Sequence, residues 1–291
     1  MHLIVFGIST TLASMFAAHL AGFAAWWGIP AVLPFHLFLI CGLYHPRSSL
    51  ICPTISRAPG SRPKSVALTF DDGPHPDVTP QVLEILARNR VPATFFMIGR
   101  NVRRYPETAR AVAEAGHEIG NHSYLHPLHI VGWRRNAVAR DTRLAQRAIQ
   151  RAVGAPPIWY RPPIGFRNVF LRSVLRSLNL QLVNFTFRTY DAVARRPETI
   201  VNRILAKARP GAVILLHDGT HHPHGARPSP LIEALPRLIE RLRADGFEFQ
   251  SLRALLSTDR PTLDRERAPE AAAHLNRLPQ DHSPIILGSD L

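Results

Sequence analysis

From residue 65 onward the chain alternates short apolar runs with longer segments whose apolar side chains recur at helical spacing. The runs at 65–70, 93–98, 118–121, 158–160, 182–187, 213–216 and 247–250 read as strands. Between them, the segments near 79–89, 106–115, 134–153, 168–178, 197–208 and 230–244 carry helical patterns. Strand and helix in regular alternation predict an α/β fold with a parallel sheet, because parallel neighbours need a crossover between them. The sheet is expected to close as a barrel.

The chain before residue 65 follows a different pattern. No Asp, Glu, Lys or Arg occurs before Arg47, and residues 3–27 are apolar apart from Ser, Thr and His19. Such a run is long enough to cross a bilayer as a helix, which takes roughly 20 residues. A second apolar run, 31–44, follows Gly28-Ile29-Pro30 and is short for a full span. It suits the second leg of a hairpin or an interfacial segment. The absence of Lys and Arg at the N-terminus and the length of the apolar stretch argue against a cleaved signal peptide. Arg47, Arg57, Arg62 and Lys64 follow it, and basic flanks stay on the cytoplasmic side. The expectation is a bacterial inner-membrane protein whose folded domain, beyond residue 63, faces the cytoplasm. Both a hairpin and a single span with its N-terminus outside satisfy it.

These patterns divide the chain into a membrane segment at 1–46, a linker at 47–63, a folded domain at 64–256 and a mostly disordered tail at 257–291. The Pro/Gly/Ser-rich RAPGSRPK at 57–64 closes the linker and leads into the folded domain, and the tail is polar with no sustained apolar period.

Composition changes this picture little. Hydrophobic residues make up 46% of the 291, enough for a sizeable core. Two cysteines, Cys41 and Cys52, supply neither a disulfide framework nor a CxxC zinc site. The formal charge of +14 comes almost wholly from arginine, since Lys64 and Lys207 are the only lysines. The arginines are scattered rather than clustered among aromatics, which argues against nucleic-acid binding. A positive surface is suited to anionic lipid head groups or phosphorylated substrates.

Candidate chemistry gathers at the C-terminal ends of the expected strands, where α/β barrels carry their sites. The first strand runs into Asp71-Asp72-Gly73-Pro74. Neighbouring strand residues point opposite ways, so the two carboxylates are free to take different tasks, one binding a metal and the other handling protons. After the third strand, His122 and His126 stand four apart, a spacing that puts both on one face of a helical turn. Two imidazoles and a carboxylate make a three-ligand set that leaves zinc an open position for water. Arg161 follows the next strand and precedes Pro162 and Pro163, which stiffen the backbone. Residues 182–187 lead to Asp191, and 213–216 to His217. Period-2 alternation puts Leu215 on the face of His217, an apolar wall beside a titratable ring. His75 and His129 default to surface or supporting roles, and the histidines at 221, 222 and 224 to a solvated loop.

The set Thr69-Phe70-Asp71-Asp72-Gly73-Pro74, His122-Ser123-Tyr124-Leu125-His126, Arg161-Pro162-Pro163 and Leu215-Leu216-His217 resembles the polysaccharide deacetylase family, the NodB-homology domains of carbohydrate esterase family 4. The resemblance covers residues 64–256. It implies a distorted (β/α) barrel that holds a divalent metal, usually zinc, and hydrolyses N-acetyl groups on amino sugars. By motif position it makes Asp72, His122 and His126 the metal ligands, Asp71 the catalytic base and His217 the acid. Arg161 would hold Asp71 and Asp191 would tune His217. Leu215 would line the acyl pocket, and Pro163 and Ile164 would face substrate, with the Ile164 N–H as an oxyanion donor.

Two departures stand out. Many members carry an Asp-x-x-Asp-Trp segment, whereas this chain reads Arg188-Thr189-Tyr190-Asp191-Ala192, and Ile164 stands where an aromatic is frequent. Both alter the substrate groove more than the reaction centre. The expected substrate is an N-acetylated glycan or lipid-linked saccharide. The alternatives are deformylation or other deacylation of a lipid-phosphate-linked amino sugar, and non-catalytic carbohydrate binding, against which the complete acid, base and ligand set argues.

Overall fold

The computed structural model describes residues 2–22, 52–58, 64–219 and 229–256, with isolated positions 33, 37, 45, 48 and 49; side chains are described from residue 11. The run at 31–44, the tail and the histidines at 221, 222 and 224 thus lie wholly or mostly outside the described residues. An N-terminal helix, α1, spans His2–Leu20. Among the described residues no helix is long and apolar enough to cross a membrane.

The strands are β1 (Ser65–Asp71), β2 (Ala93–Met97), β3 (Glu118–Asn121), β4 (Trp159–Tyr160), β5 (Gln181–Leu182), β6 (Ala212–His217) and β7 (Glu248–Phe249). The connecting helices are α2 (Val78–Arg88), α3 (Gly99–Arg104), α4 (Pro106–Glu114), α5 (Arg135–Val153), α6 (Leu171–Ser177), α7 (Pro197–Leu205), α8 (Pro230–Ala244) and α9 (Leu252–Leu256). The pairings between these strands are parallel, in the order β5-β4-β3-β2-β1-β6, and β7 joins the start of β1 at Ser65 and Val66, below the point where β2 begins to pair. The α/β alternation is therefore as the sequence predicts, with α3 and α9 added.

Closure differs from the expectation. The strand expected at 182–187 is regular only at Gln181–Leu182, and single bridges then carry the chain across to β6, Phe187 pairing with Ile214. Residues 52–58, inside the expected linker, fill the gap: Ile55 bridges Val183 and Arg57 bridges Ala212. Two-residue strands present too few groups for a full ladder, so the barrel is distorted on this side.

Alternation along β1 and β6 sorts the core into two layers. Val66, Leu68, Phe70, Ile214 and Leu216 face outward into the helical shell with Val82, Leu86, Leu235 and Leu238. Ala67, Phe96, Trp159 and Val213 face inward and pack with Leu252 and Leu255 of α9. The same inward face continues up β1 as Thr69 and Asp71, and up β6 as Leu215 and His217. The barrel interior thus passes from apolar at the bottom to charged at the top.

Candidate active site

Parallel register sets the first relation in the site. Asp71 pairs with His217 across β1 and β6, one layer above the Thr69–Leu215 pair, so both side chains emerge on one face at the strand ends. Arg161, fully buried, reaches under them. Its Nη1 donates to Asp71 Oδ1 at 2.7 Å and to Thr69 Oγ1 at 2.9 Å, and its Nε to the Val183 carbonyl at 3.2 Å. The guanidinium lies 4.0 Å from the centre of the Phe96 ring. That ring in turn needs Gly120, where a Cβ would stand 2.4 Å from it. Burial pulls the Arg161 pKa down, and the Asp71 carboxylate opposes it.

Asp72, His122 and His126 come together as expected: one ligand atom from each lies within 4.8 Å of the others. The separations from Asp72 Oδ1 are 3.4 Å to His122 Nε2 and 3.2 Å to His126 Nε2. His122 Nδ1 lies 2.8 Å from the Arg161 carbonyl, an acceptor only, so this nitrogen carries the proton. In the neutral ring Nε2 then turns a lone pair toward carboxylate oxygens. Two facing acceptors of this kind fit a shared cation, which is the chemical case for a divalent ion at this trio. Burial pulls His122 down, but Asp71 and Asp72 pull harder and hold it above the ordinary imidazole range.

The local geometry is not the helical turn that the i, i+4 spacing predicts. Residues 122–126 form an irregular loop, with Ser123 and His126 at φ of 69° and 56°. Ser123 N–H donates to Asn121 Oδ1 and His126 N–H to Ser123 Oγ, which folds the loop back. Asp141 of α5 accepts the N–H groups of Tyr124 and Leu125, each at 3.0 Å. Local side-chain acceptors have replaced the i−4 carbonyl ladder. Among the described residues, five of the seven non-glycine residues at positive φ belong to this region, Asp72, Ser123, His126, Ile164 and Tyr190. Backbone strain of this kind collects at functional sites.

Asp191 spends both oxygens on His217: Oδ1 lies 2.8 Å from Nδ1, and Oδ2 accepts the backbone N–H at 2.7 Å. Thr189 Oγ1 adds a third contact at 2.8 Å. Burial pulls His217 down; Asp191, then Asp72 and Asp71, more than reverse it, leaving the ring pushed up to about 10. With Nδ1 occupied, Nε2 is the nitrogen left to face substrate.

The expected substrate-contacting residues divide. Leu215 and Pro163 are buried, Leu215 one layer beneath His217, whereas Ile164 is half-buried in a turn at φ 58°. Ile164 O accepts from Arg188 Nη2 at 2.7 Å. His75 takes a supporting role, Nδ1 accepting from the N–H groups of Asp77 and Val78.

Sequence reasoning missed Asp141 and Asp218. Asp141 was legible as an acid on the apolar stripe of α5 among Val138, Ala145 and Ile149, a position that asks for buried partners. Asp218 is buried behind the Asp71-Asp72 turn and accepts from Thr79 Oγ1 at 2.6 Å. Burial, with Asp72 and Asp71 nearby, pushes it up to about 7. Gly219 follows because a Cβ there would stand 2.5 Å from Asp72.

Known proteins share this sequence pattern and fold. The polysaccharide deacetylase profile matches residues 58–183. The chitooligosaccharide deacetylase of Azorhizobium caulinodans is 36% identical over 195 residues, which span 65% of this chain and 92% of that protein. The solved Bc1960 peptidoglycan N-acetylglucosamine deacetylase, in complex with an N-hydroxybenzamide, superposes with a TM-score of 0.64 at 30% identity, over 71% of this chain and 94% of that one. BA3943, a CE4 family pseudoenzyme from Bacillus anthracis, superposes at 0.63 with 28% identity, over 70% and 68% of the two chains. Fold likeness thus does not separate active from inactive relatives, and the residues of the site must carry that distinction. On sequence, fold and motif order together, this chain belongs to the polysaccharide deacetylase family of hydrolases.

Proposed function

We propose that the chain is a metal-dependent N-deacetylase that releases acetate from N-acetylated amino sugars of an oligosaccharide, polysaccharide or lipid-linked glycan. The observation that carries this reading is the juxtaposition of the Asp72–His122–His126 trio with two separately anchored proton-handling groups, Asp71 and His217. A divalent ion held by that trio, with zinc suited to two imidazoles and a carboxylate, would polarise the acyl carbonyl and lower the pKa of a water to about 7.

The chain's own residues supply the rest. Arg161 occupies Asp71 Oδ1, which leaves Oδ2 to take the proton from the attacking water. The backbone N–H of Ile164 is the donor offered to the developing oxyanion. His217, whose affinity for a proton Asp191 raises and whose ring Asp191 turns so that Nε2 faces outward, gives its proton to the departing amine. The C–N bond breaks as that nitrogen becomes an amine, and acetate leaves.

The N-terminal segment supports attachment to a bacterial inner membrane. It carries no Asp, Glu, Lys or Arg before Arg47, and Leu12, Phe16 and Leu20 form an exposed apolar stripe at four-residue spacing on α1. The basic flank after it favours a cytoplasmic catalytic domain and, with it, a lipid-linked substrate over exported glycan.

His122→Ala is expected to lose both bound metal, measured by mass spectrometry, and acetate release from N-acetylglucosamine oligomers. Retained hydrolysis in a metal-free variant would overturn the mechanism. Metal bound by the wild type without hydrolysis of any N-acylated sugar would favour carbohydrate binding without catalysis.

A further inference from the structure

A cavity of about 560 Å³ lies between the chain that crosses from β5 to Arg188 and the turn that leads from α7 into β6. Among the described residues, its lining includes three cationic groups, Arg188, Lys207 and Arg209, together with His45, and neither Asp nor Glu. Phe185 and Phe187 supply apolar walls. The Nε of Arg209 is buried and has no hydrogen-bond partner among the described residues. A buried donor of that kind is normally satisfied, and a set of like charges around one hollow calls for an anion. Arg188 already commits one nitrogen to the Ile164 carbonyl at 2.7 Å and lies 5.2 Å from the centre of the Phe185 ring.

We propose that this cavity is a binding site for a phosphate group, separate from the metal trio and joined to the active-site loop through Arg188. Two guanidinium forks and an ammonium match a dianion with three acceptor oxygens. The volume exceeds that of phosphate alone, and the phenyl walls accommodate whatever the phosphate is attached to. The source is either a lipid-phosphate head group or a soluble phosphorylated saccharide. The site does not depend on the deacetylase reading, because binding and hydrolysis are measured apart.

The test uses the full-length, metal-loaded protein. Inorganic phosphate is titrated calorimetrically, and sedimentation is followed with phosphatidylcholine vesicles made with and without phosphatidic acid. Lys207→Gln/Arg209→Gln is compared with Arg88→Gln/Arg110→Gln, which removes equal charge from the exposed surfaces of α2 and α4. The cavity variant is expected to lose one phosphate equivalent per chain, or to bind it at least about tenfold more weakly, the scale of one charge-assisted contact. The control pair and the rate of acetate release are expected to be unchanged. Preferential loss of binding to phosphatidic acid vesicles in the cavity variant assigns the phosphate to a lipid; loss confined to free phosphate assigns it to a soluble ligand. Equal phosphate stoichiometry and affinity in both variants would overturn the proposal.

Discussion

Two carboxylates flank the candidate reaction centre, and they are held in opposite ways. Asp71 pairs through Oδ1 with an arginine that has no exposed surface, and its Oδ2 stands 3.7 Å from His122 Nε2. Asp191 gives both oxygens to His217 and receives Thr189 as well. The first arrangement fixes a carboxylate while leaving one oxygen to react. The second consumes the carboxylate to fix something else. The proposed base and the proposed positioning group thus differ in how many lone pairs the fold leaves over, although the residue type is the same.

The sharpest way to break this contrast is to remove charge from the reacting carboxylate alone. Asp71→Asn keeps the size and an oxygen for Arg161 but cannot accept a proton. Turnover should fall by about 10³- to 10⁴-fold, the upper range for a general base. Metal content should stay at the wild-type level, since Asp71 lies outside the trio. A rate within about tenfold of wild type would place the base elsewhere.

The Asp71 side of the site was more legible than the Asp191 side, for a physical reason. Asp71 and Asp72 stand at the end of β1, a seven-residue strand read from its apolar run, and His122 directly follows the four-residue β3; both ladders are continuous, and their register fixes direction. Asp191 and Arg188 follow a strand of two residues and single bridges, where pairing is decided by a segment more than 100 positions earlier, at Ile55 and Arg57. No local pattern announces such a partner. The His122–His126 loop shows the intermediate case. The pair was visible, but its geometry depends on Asn121, Ser123 and Asp141, and a spacing of four suggested a helix that these acceptors replace.

Asp191→Asn sharpens the comparison from the other side. A negative partner favours the charged imidazole, so its removal lowers the His217 pKa toward the ordinary value from about 10. The acid is active when protonated, and activity is lost as pH rises through its pKa. The alkaline limb of kcat against pH should therefore move to lower pH in the variant, with the rate below the limb reduced by about 10- to 100-fold. A cation at the trio offsets Asp71 and Asp72 in both proteins, so the direction of the shift stands. An unmoved limb would mean that Asp191 only braces the strand end.

The smallest effect is expected at the rim, where neither carboxylate acts. Ile164 holds φ at 58°, a conformation that glycine adopts freely, and its half-buried side chain lies at the loop that follows Arg161. Ile164→Gly relieves that strain but adds freedom to the unfolded chain, and the two nearly cancel. Thermal stability should shift by less than about 1 kcal/mol. If the side chain touches substrate, its loss costs on the order of 1 kcal/mol of apolar contact, or about fivefold in KM. The N–H proposed as the oxyanion donor belongs to the backbone and survives the substitution, so kcat should hold. A fall in kcat with KM unchanged would show instead that the isoleucine side chain fixes the position of that N–H, and that the loop is part of the reaction centre rather than its border.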